Sequence, residues 1–421
     1  TAVGASYVIV DDASDFAVND TVMVMQMSGV GINAGPGLEG NYQNTIGAPG
    51  KYEILVVSAV NTGTDRIDFT RVLINSYDPE AKVQLIKVRS YRDAVVNTQL
   101  SCQAWDSASV TGGVLVFMVK GVLTLNADIN VSGTGFRGGI VSQGVGWCQN
   151  TYDSLEWESY SIWSPAAGYK GEGIGLKTAT NLSLYPYYMR GKGANMTGGG
   201  GGNGHFSGGG GGANYGAGSV GDQETAPDTC GGLMPGGRGG FPVSPYPTLN
   251  SGVYMGGGGG ASVYLTTPTT SAGANGGGIV IIHADTIVGN GRIITASGAA
   301  ANNNNAVNAG AGGGGGGGSV IISTRHFLTA PALSADGGRG GNNENQNGAG
   351  GGGGGGLIWT AGAFTGTATV AGGQGGIHSG GDPNRDGFPG LVRSNLNLPL
   401  NGFLFNEIYI AYNQNQLDSI C

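Results

Sequence analysis

The chain has 421 residues, 88 of them glycine, against a usual glycine share of about 7 %; only 11 % are charged and the net charge is −8. A hydrophobic content of 39 % excludes a disordered glycine-rich polymer and leaves material for a sizeable core. The lack of a Lys/Arg cluster excludes nucleic acid and anionic membrane as partners, and no apolar run reaches the roughly 18 residues of a membrane-spanning helix.

From Thr1 to about residue 98 the pattern is short strands: Tyr7 to Val10, Thr21 to Met27, Tyr52 to Val60, Arg66 to Ile74 and Val83 to Val88. Alternation in Arg66-Ile67-Asp68-Phe69 puts every second side chain toward a core. Asn61-Thr62-Gly63 reads as a turn and Gly31 to Gly50 as a long polar loop. Residues 1–98 are therefore expected to form a β-barrel or sandwich domain. Residues 99–421 are expected to form a second, glycine-rich β-repeat domain.

That second part repeats. Gly112 to Met118 leads to Asn130-Val131-Ser132-Gly133, and Gly277 to Ile282 leads to Thr295-Ala296-Ser297-Gly298. Gly317 to Ile322 leads to Ser334-Ala335-Asp336-Gly337, and Gly355 to Trp359 leads to Val370-Ala371-Gly372. The last three copies recur at about 40 residues, a period at which stacked units bury a continuous core that none could bury alone. Glycine runs at 198–202, 208–212, 256–260, 312–318 and 350–356 have no side chains to pack, so ordering them must be offset elsewhere. An extended helix with three residues per turn leaves its N–H and C=O groups free for neighbouring runs. The expected fold is all-β, a barrel or sandwich followed by β-helix-like or sandwich repeats with a packed polyglycine II-type helix bundle whose runs lie parallel.

An insertion at about residues 140–275 separates the first two copies. Trp147, Trp157, Tyr160, Trp163 and Tyr169 cluster in it, either as a surface for sugar or protein recognition or as a local core beneath a loop. Asp382-Pro383-Asn384-Arg385-Asp386-Gly387 matches the start of a Ca²⁺ loop at Asp382, Asn384 and Asp386. Position twelve is Arg393 rather than a bidentate Glu, which favours a plain turn; Ca²⁺ is the single cofactor the sequence offers. Cys102, Cys148 and Cys230 are either partners in a disulfide or separate thiols, since spacing alone cannot bring two Cα atoms within bridging range.

A β-helix polysaccharide lyase or hydrolase is the rival reading. Asp285, Asp336 and Glu344 do not recur at one repeat position, and His205, His283, His326 and His378 lie in different units, so no catalytic residue is expected. Thr1 opens the chain without a signal-peptide pattern and Cys421 closes it abruptly, as expected of a mature product cut at a fragment boundary.

Val24-Met25-Gln26-Met27, Gly40-Asn41-Tyr42, Val83-Gln84-Leu85-Ile86, Cys102-Gln103-Ala104-Trp105-Asp106, Ser132 to Gly139 and Gly168 to Gly173 together resemble the N-terminal region of very large cell-surface adhesins of Bacteroidota. Gliding-motility adhesins belong to that group and leave the cell by type IX secretion. The resemblance implies a non-catalytic extracellular module associated with the outer membrane. Its expected partner is the secretion or gliding machinery when it serves as the adhesin's base, or an extracellular glycan or surface when it binds. The C-terminal sorting domain of such proteins has no counterpart here.

Overall fold

A computed structural model of the chain describes residues 2–33, 40–143, 167–176, 189–204, 206–223, 235–264, 271–304, 309–345, 347–361, 364–379 and 385–394. The fold is all-β. Strands β1 (Tyr7–Ile9), β2 (Thr21–Gln26), β3 (Val30–Ile32), β4 (Tyr42–Thr45), β5 (Tyr52–Asn61), β6 (Arg66–Phe69) and β7 (Val83–Lys87) come first. Next are β8 (Arg89–Tyr91), β9 (Ala94–Val96), β10 (Val114–Leu125), β11 (Ile129–Asn130), β12 (Ser142–Gln143), β13 (Gly175–Leu176) and β14 (Val263–Tyr264). The repeats close the series with β15 (Ile279–Val288), β16 (Ile293–Thr295), β17 (Ser319–Thr329), β18 (Ala332–Ser334), β19 (Leu357–Ala361), β20 (Ala368–Thr369) and β21 (Leu391–Ser394).

The N-terminal strands form a five-stranded antiparallel sheet ordered β1-β6-β5-β2-β7. Alternation holds in β6, where Ile67 and Phe69 are buried. The stretch read as a polar loop holds β4 and most of β3, which pair with each other, and β3 pairs on its other side with β13 from the insertion. Short polar strands such as Tyr42–Thr45 carry no apolar alternation, and their partner lies far along the chain. Sequence pattern therefore had nothing to register.

Each repeat gives one long strand to a seven-stranded parallel sheet, β21-β19-β17-β15-β10-β8 with β9 also on β10. A short second strand joins a parallel sheet, β11-β16-β18-β20. Val280, Ile282, Val320, Ile322 and Ile358 meet Ile129, Ile294 and Leu333 in a core between the two sheets. The opposite face presents Val116, Met118, Ile279, Ile281, Ile321, Leu357 and Trp359 to a second core. Burial on both faces is why these strands read as unbroken apolar runs.

Met23, Met25, Met27, Val30, Ile54 and Val88 of the N-terminal part belong to that second core, while Val22, Val24, Leu55 and Val57 face a core of their own. Strand β2 is thus covered on both sides. The apolar core crosses the boundary expected near residue 98, and the repeat sheet begins upstream of it at Arg89.

The glycine runs are buried and hydrogen-bonded to one another at a spacing of every third residue. Gly209 and Gly212 donate to Ala311 and Gly314; Gly210 donates to Gly200; Gly211 donates to Ser219. Gly313 and Gly316 donate to Gly260 and Gly257, Gly314 and Gly317 to Gly351 and Gly354, and Gly315 and Gly318 to Ala299 and Ala296. Rising pairs such as 314→351 and 317→354 mark runs in the same direction. Falling pairs such as 313→260 and 316→257 mark opposite ones. The expected all-parallel packing is corrected to a mixture of directions, because a threefold backbone offers donors and acceptors on every side.

The run ends also close each unit. Gly278, Gly318, Gly356 and Gly390 donate to Val131, Ala296, Ala335 and Val370, the residues that follow the second strands. A Cβ on Gly318 would lie 1.9 Å from Gly278 O, and one on Gly356 2.0 Å from Gly318 O. Only glycine lets equivalent carbonyls stack at this distance. The insertion is part of the same array: Tyr215, Val243, Leu249, Tyr254 and Met255 from it roof the core beneath the repeats.

Candidate functional site

Residues of the resemblance motifs meet at the junction between the N-terminal sheet and the repeats. Gln26 is fully buried and uses its whole amide: Nε2 donates to Ser28 O (2.8 Å) and Ile46 O (2.7 Å), and Oε1 accepts from Ala48 N (3.1 Å) and Asp78 N (3.0 Å). Nearby, Trp105 Nε1 donates to Glu172 Oε2 (3.1 Å), Arg137 Nη2 pairs with Glu172 Oε1 (3.1 Å) and donates to Ser107, and Phe136 meets the Trp105 ring edge-on at 5.7 Å. Lys82, in a left-handed turn, holds its ammonium 5.6 Å from the Trp105 ring. Burial pushes this lysine below its ordinary range, Glu172 raises it and Arg137 lowers it further. Asp106 is held below the usual carboxylate range by the amide of Ala108 and the hydroxyl of Ser109. Gln26 is spent within the N-terminal part, and Trp105, Arg137 and Glu172 on one another; the two parts are joined by their common core, by Lys82 over Trp105 and by Gln84, which exchanges two hydrogen bonds with Gly112.

Of the aromatic cluster, Tyr169 is described: Arg190 lies 4.2 Å over its ring and donates to its hydroxyl at 3.1 Å. Trp147, Trp157, Tyr160 and Trp163 lie outside the described residues, as do Cys148, Cys230, Asp382 and Asn384. Asp386 Oδ1 accepts from Gly375 N at 2.8 Å, the behaviour of an Asx side chain bracing a neighbouring segment. Cys102 carries a free thiol rather than half of a disulfide. Its Sγ lies 3.4 Å from Thr134 Oγ1 against the core between the sheets, where burial raises its pKa.

The acids and histidines of the repeats are likewise engaged. Asp285 pairs with Arg325 at 3.3 Å, and burial lowers the pKa of His283. Asp222, which the sequence did not single out, is 3 % exposed and joins Arg385 at 2.7 Å and His378 at 3.1 Å. It ties together segments more than 150 residues apart in sequence. No group of three or more His, Cys, Asp or Glu placed to hold a metal ion occurs among the described residues.

A row of hydroxyls runs across the outer face of the β11-β16-β18-β20 sheet. Ser132 Oγ is 3.0 Å from Thr295 Oγ1, Thr295 Oγ1 is 3.1 Å from Ser297 Oγ, and Ser297 Oγ is 2.8 Å from Ser334 Oγ. Ser334 Oγ and Thr369 Oγ1 both donate to Asp336 Oδ2, at 2.8 and 2.9 Å. Asp336, weighed as a possible catalytic acid, anchors this row and accepts Ala371 N as well. No family model, curated protein or solved structure matches this chain.

The row was discernible in advance. Ser132, Ser297 and Asp336 occupy the same place in successive repeat ends, and a stack of parallel strands brings equal positions within about 5 Å. The Asp222 cluster had no such signal, because its partners sit in glycine-rich segments with no periodic apolar pattern.

Proposed function

We propose that this chain is a non-catalytic extracellular module of a large cell-surface adhesin, serving adhesion or gliding motility from the base of the molecule. The observation that carries the reading is the use made of the motif residues behind the resemblance. Met25 and Met27 of β2 share one core with Trp105 and Phe136, Lys82 lies over the Trp105 ring, and Gln84 exchanges two hydrogen bonds with Gly112, so residues of the motifs are consumed in joining the N-terminal sheet to the repeats. Residues employed that way suit a rigid support that carries load. In the finer reading of the fold, the glycine runs are polyglycine II-type helices, supported by their every-third-residue hydrogen bonding, and the stacked repeats are β-helix-like.

A base module should be displayed outside the cell and bound to the outer-membrane secretion or gliding machinery. Protease accessibility on intact cells, with pull-down of the full chain from cell envelopes, tests both points. A chain protected from external protease, or one that recovers no envelope protein, would overturn the reading. The hydroxyl row favours one second reading, a glycan-binding face. It offers a hydrogen-bonded series of hydroxyls that ends on the Asp336 carboxylate. Glycan-array binding lost in a Thr295→Val, Ser297→Ala double variant of unchanged stability would support it.

A further inference from the structure

The hydroxyl row on the β11-β16-β18-β20 sheet has a direction. An ionised carboxylate accepts hydrogen bonds and cannot donate them, so the protons of Ser334 Oγ and Thr369 Oγ1, at 2.8 and 2.9 Å, point at Asp336 Oδ2. With its one proton spent, Ser334 Oγ can only accept from Ser297 Oγ at 2.8 Å. Ser297 in turn accepts from Thr295 at 3.1 Å, and Thr295 from Ser132 at 3.0 Å. Two backbone amides agree with this order: Asp336 N donates to Ser297 Oγ and Ser297 N to Ser132 Oγ, both at 3.2 Å. One carboxylate thus orients every hydroxyl of the row.

No hydroxyl of the row therefore keeps a proton for a ligand. What remains are lone pairs on Ser132, Ser334 and Thr369, and room for a further donor at Asp336 Oδ1, which already accepts Ala371 N. At the end away from the carboxylate, Asn130 Oδ1 accepts Ser132 N, which leaves the Asn130 Nδ2 as a donor there. Asn130, Thr295, Ser334 and Thr369 stand opposite one another on strands about 4.8 Å apart, close to the advance of one sugar unit along a β-linked chain. The four strands carry no lysine, arginine or histidine. Such a face repels carboxylate and sulfate groups, and it sets an N-acetyl oxygen among other acceptors. It is complementary to an ammonium group, which brings three donors and a positive charge.

We propose, resting on the reading of this face as a glycan site, that its ligand is a β-linked glycan of amino sugars with free amines. One ammonium group sits on Asp336 Oδ1, and ring hydroxyls donate to Thr369 and Ser334. Selection comes from the single sense of the row: Asp336 supplies the charge and, by spending the hydroxyl protons, removes the donors that an acidic or acylated sugar would need.

Binding of the full chain to three oligosaccharides of equal length tests this: a glucosamine oligomer, its N-acetylated form and a galacturonate oligomer, in a mildly acidic buffer that keeps the amine protonated. The glucosamine oligomer should bind roughly tenfold or more tightly than the acetylated one, the worth of a charge-assisted hydrogen bond, and the galacturonate should not bind. Asp336→Asn should abolish that preference, whereas Asp11→Asn, the same loss of charge at an exposed position of the N-terminal part, should leave it unchanged. If Asp336→Asn does not fold, the ranking by the wild type still decides. Equal binding of the acetylated oligomer, preference for galacturonate, or a preference that survives Asp336→Asn would overturn the amino-sugar ligand and leave the glycan face standing. Failure on all three with binding elsewhere on a glycan array would do the same, and no binding anywhere would overturn both.

Discussion

At the scale of the residue, the glycines are positions where a carbonyl of another run occupies the place of a side chain. A Cβ on Gly313 would lie 2.1 Å from Gly210 O, backbone that cannot step aside. Gly313→Ala is expected to cost more than about 3 kcal/mol in denaturant unfolding, beyond ordinary overpacking. Gly63→Ala, whose Cβ would meet nothing nearer than Asn61 Oδ1 at 3.4 Å, should stay within about 0.5 kcal/mol. His283 supplies a pH dependence. Burial, with Arg325 adding and Asp285 opposing, lowers its folded pKa from 6.5, so the unfolded chain binds its proton first as pH falls. Stability should therefore drop below about pH 6.5 until the folded pKa is passed. Urea unfolding at pH 8 and pH 5 should show a smaller loss for His283→Gln than for the wild type.

Among elements, the glycine runs and the apolar strands are interdependent. The runs at 312–318 and 350–356 lead into β17 and β19, and Gly318 and Gly356 at those junctions donate to the residues that follow β16 and β18. A run that stayed an open coil would leave Tyr254, Met255 and the faces of β15 and β17 uncovered. Amides of residues 312–318 and 350–356 should accordingly exchange as slowly as those of β17. Exchange at free-coil rates in these runs would contradict the hydrogen-bond array. Strand existence in the repeats was legible because both faces of β15, β17 and β19 are apolar. The β3–β4–β13 sheet was not, since Val30 and Gly175 are far apart in sequence and neither lies in a patterned run.

For the whole molecule, the decisive feature is the core shared between the N-terminal sheet and the repeats. Met25 faces it from β2, opposite the inner face of the repeat sheet. Met25→Ala should destabilise by about 2–5 kcal/mol and lower protection in β2 and β17 together. Two separate transitions, with β17 unaffected, would mean that the two parts are autonomous domains.

Composition and repeat spacing by themselves determined that the chain folds, that it is all-β, and that glycine precedes each apolar strand at a recurring interval. Those are local properties, carried by residue type and period. Tertiary structure decided the rest: the mixed directions of the glycine runs, the two-sided burial of β2, and the capture of Asp222 by His378 and Arg385. Glycine has no side chain by which to encode its partner. Which run it meets, and in which direction, is settled only when the apolar strands have stacked and brought the backbones together.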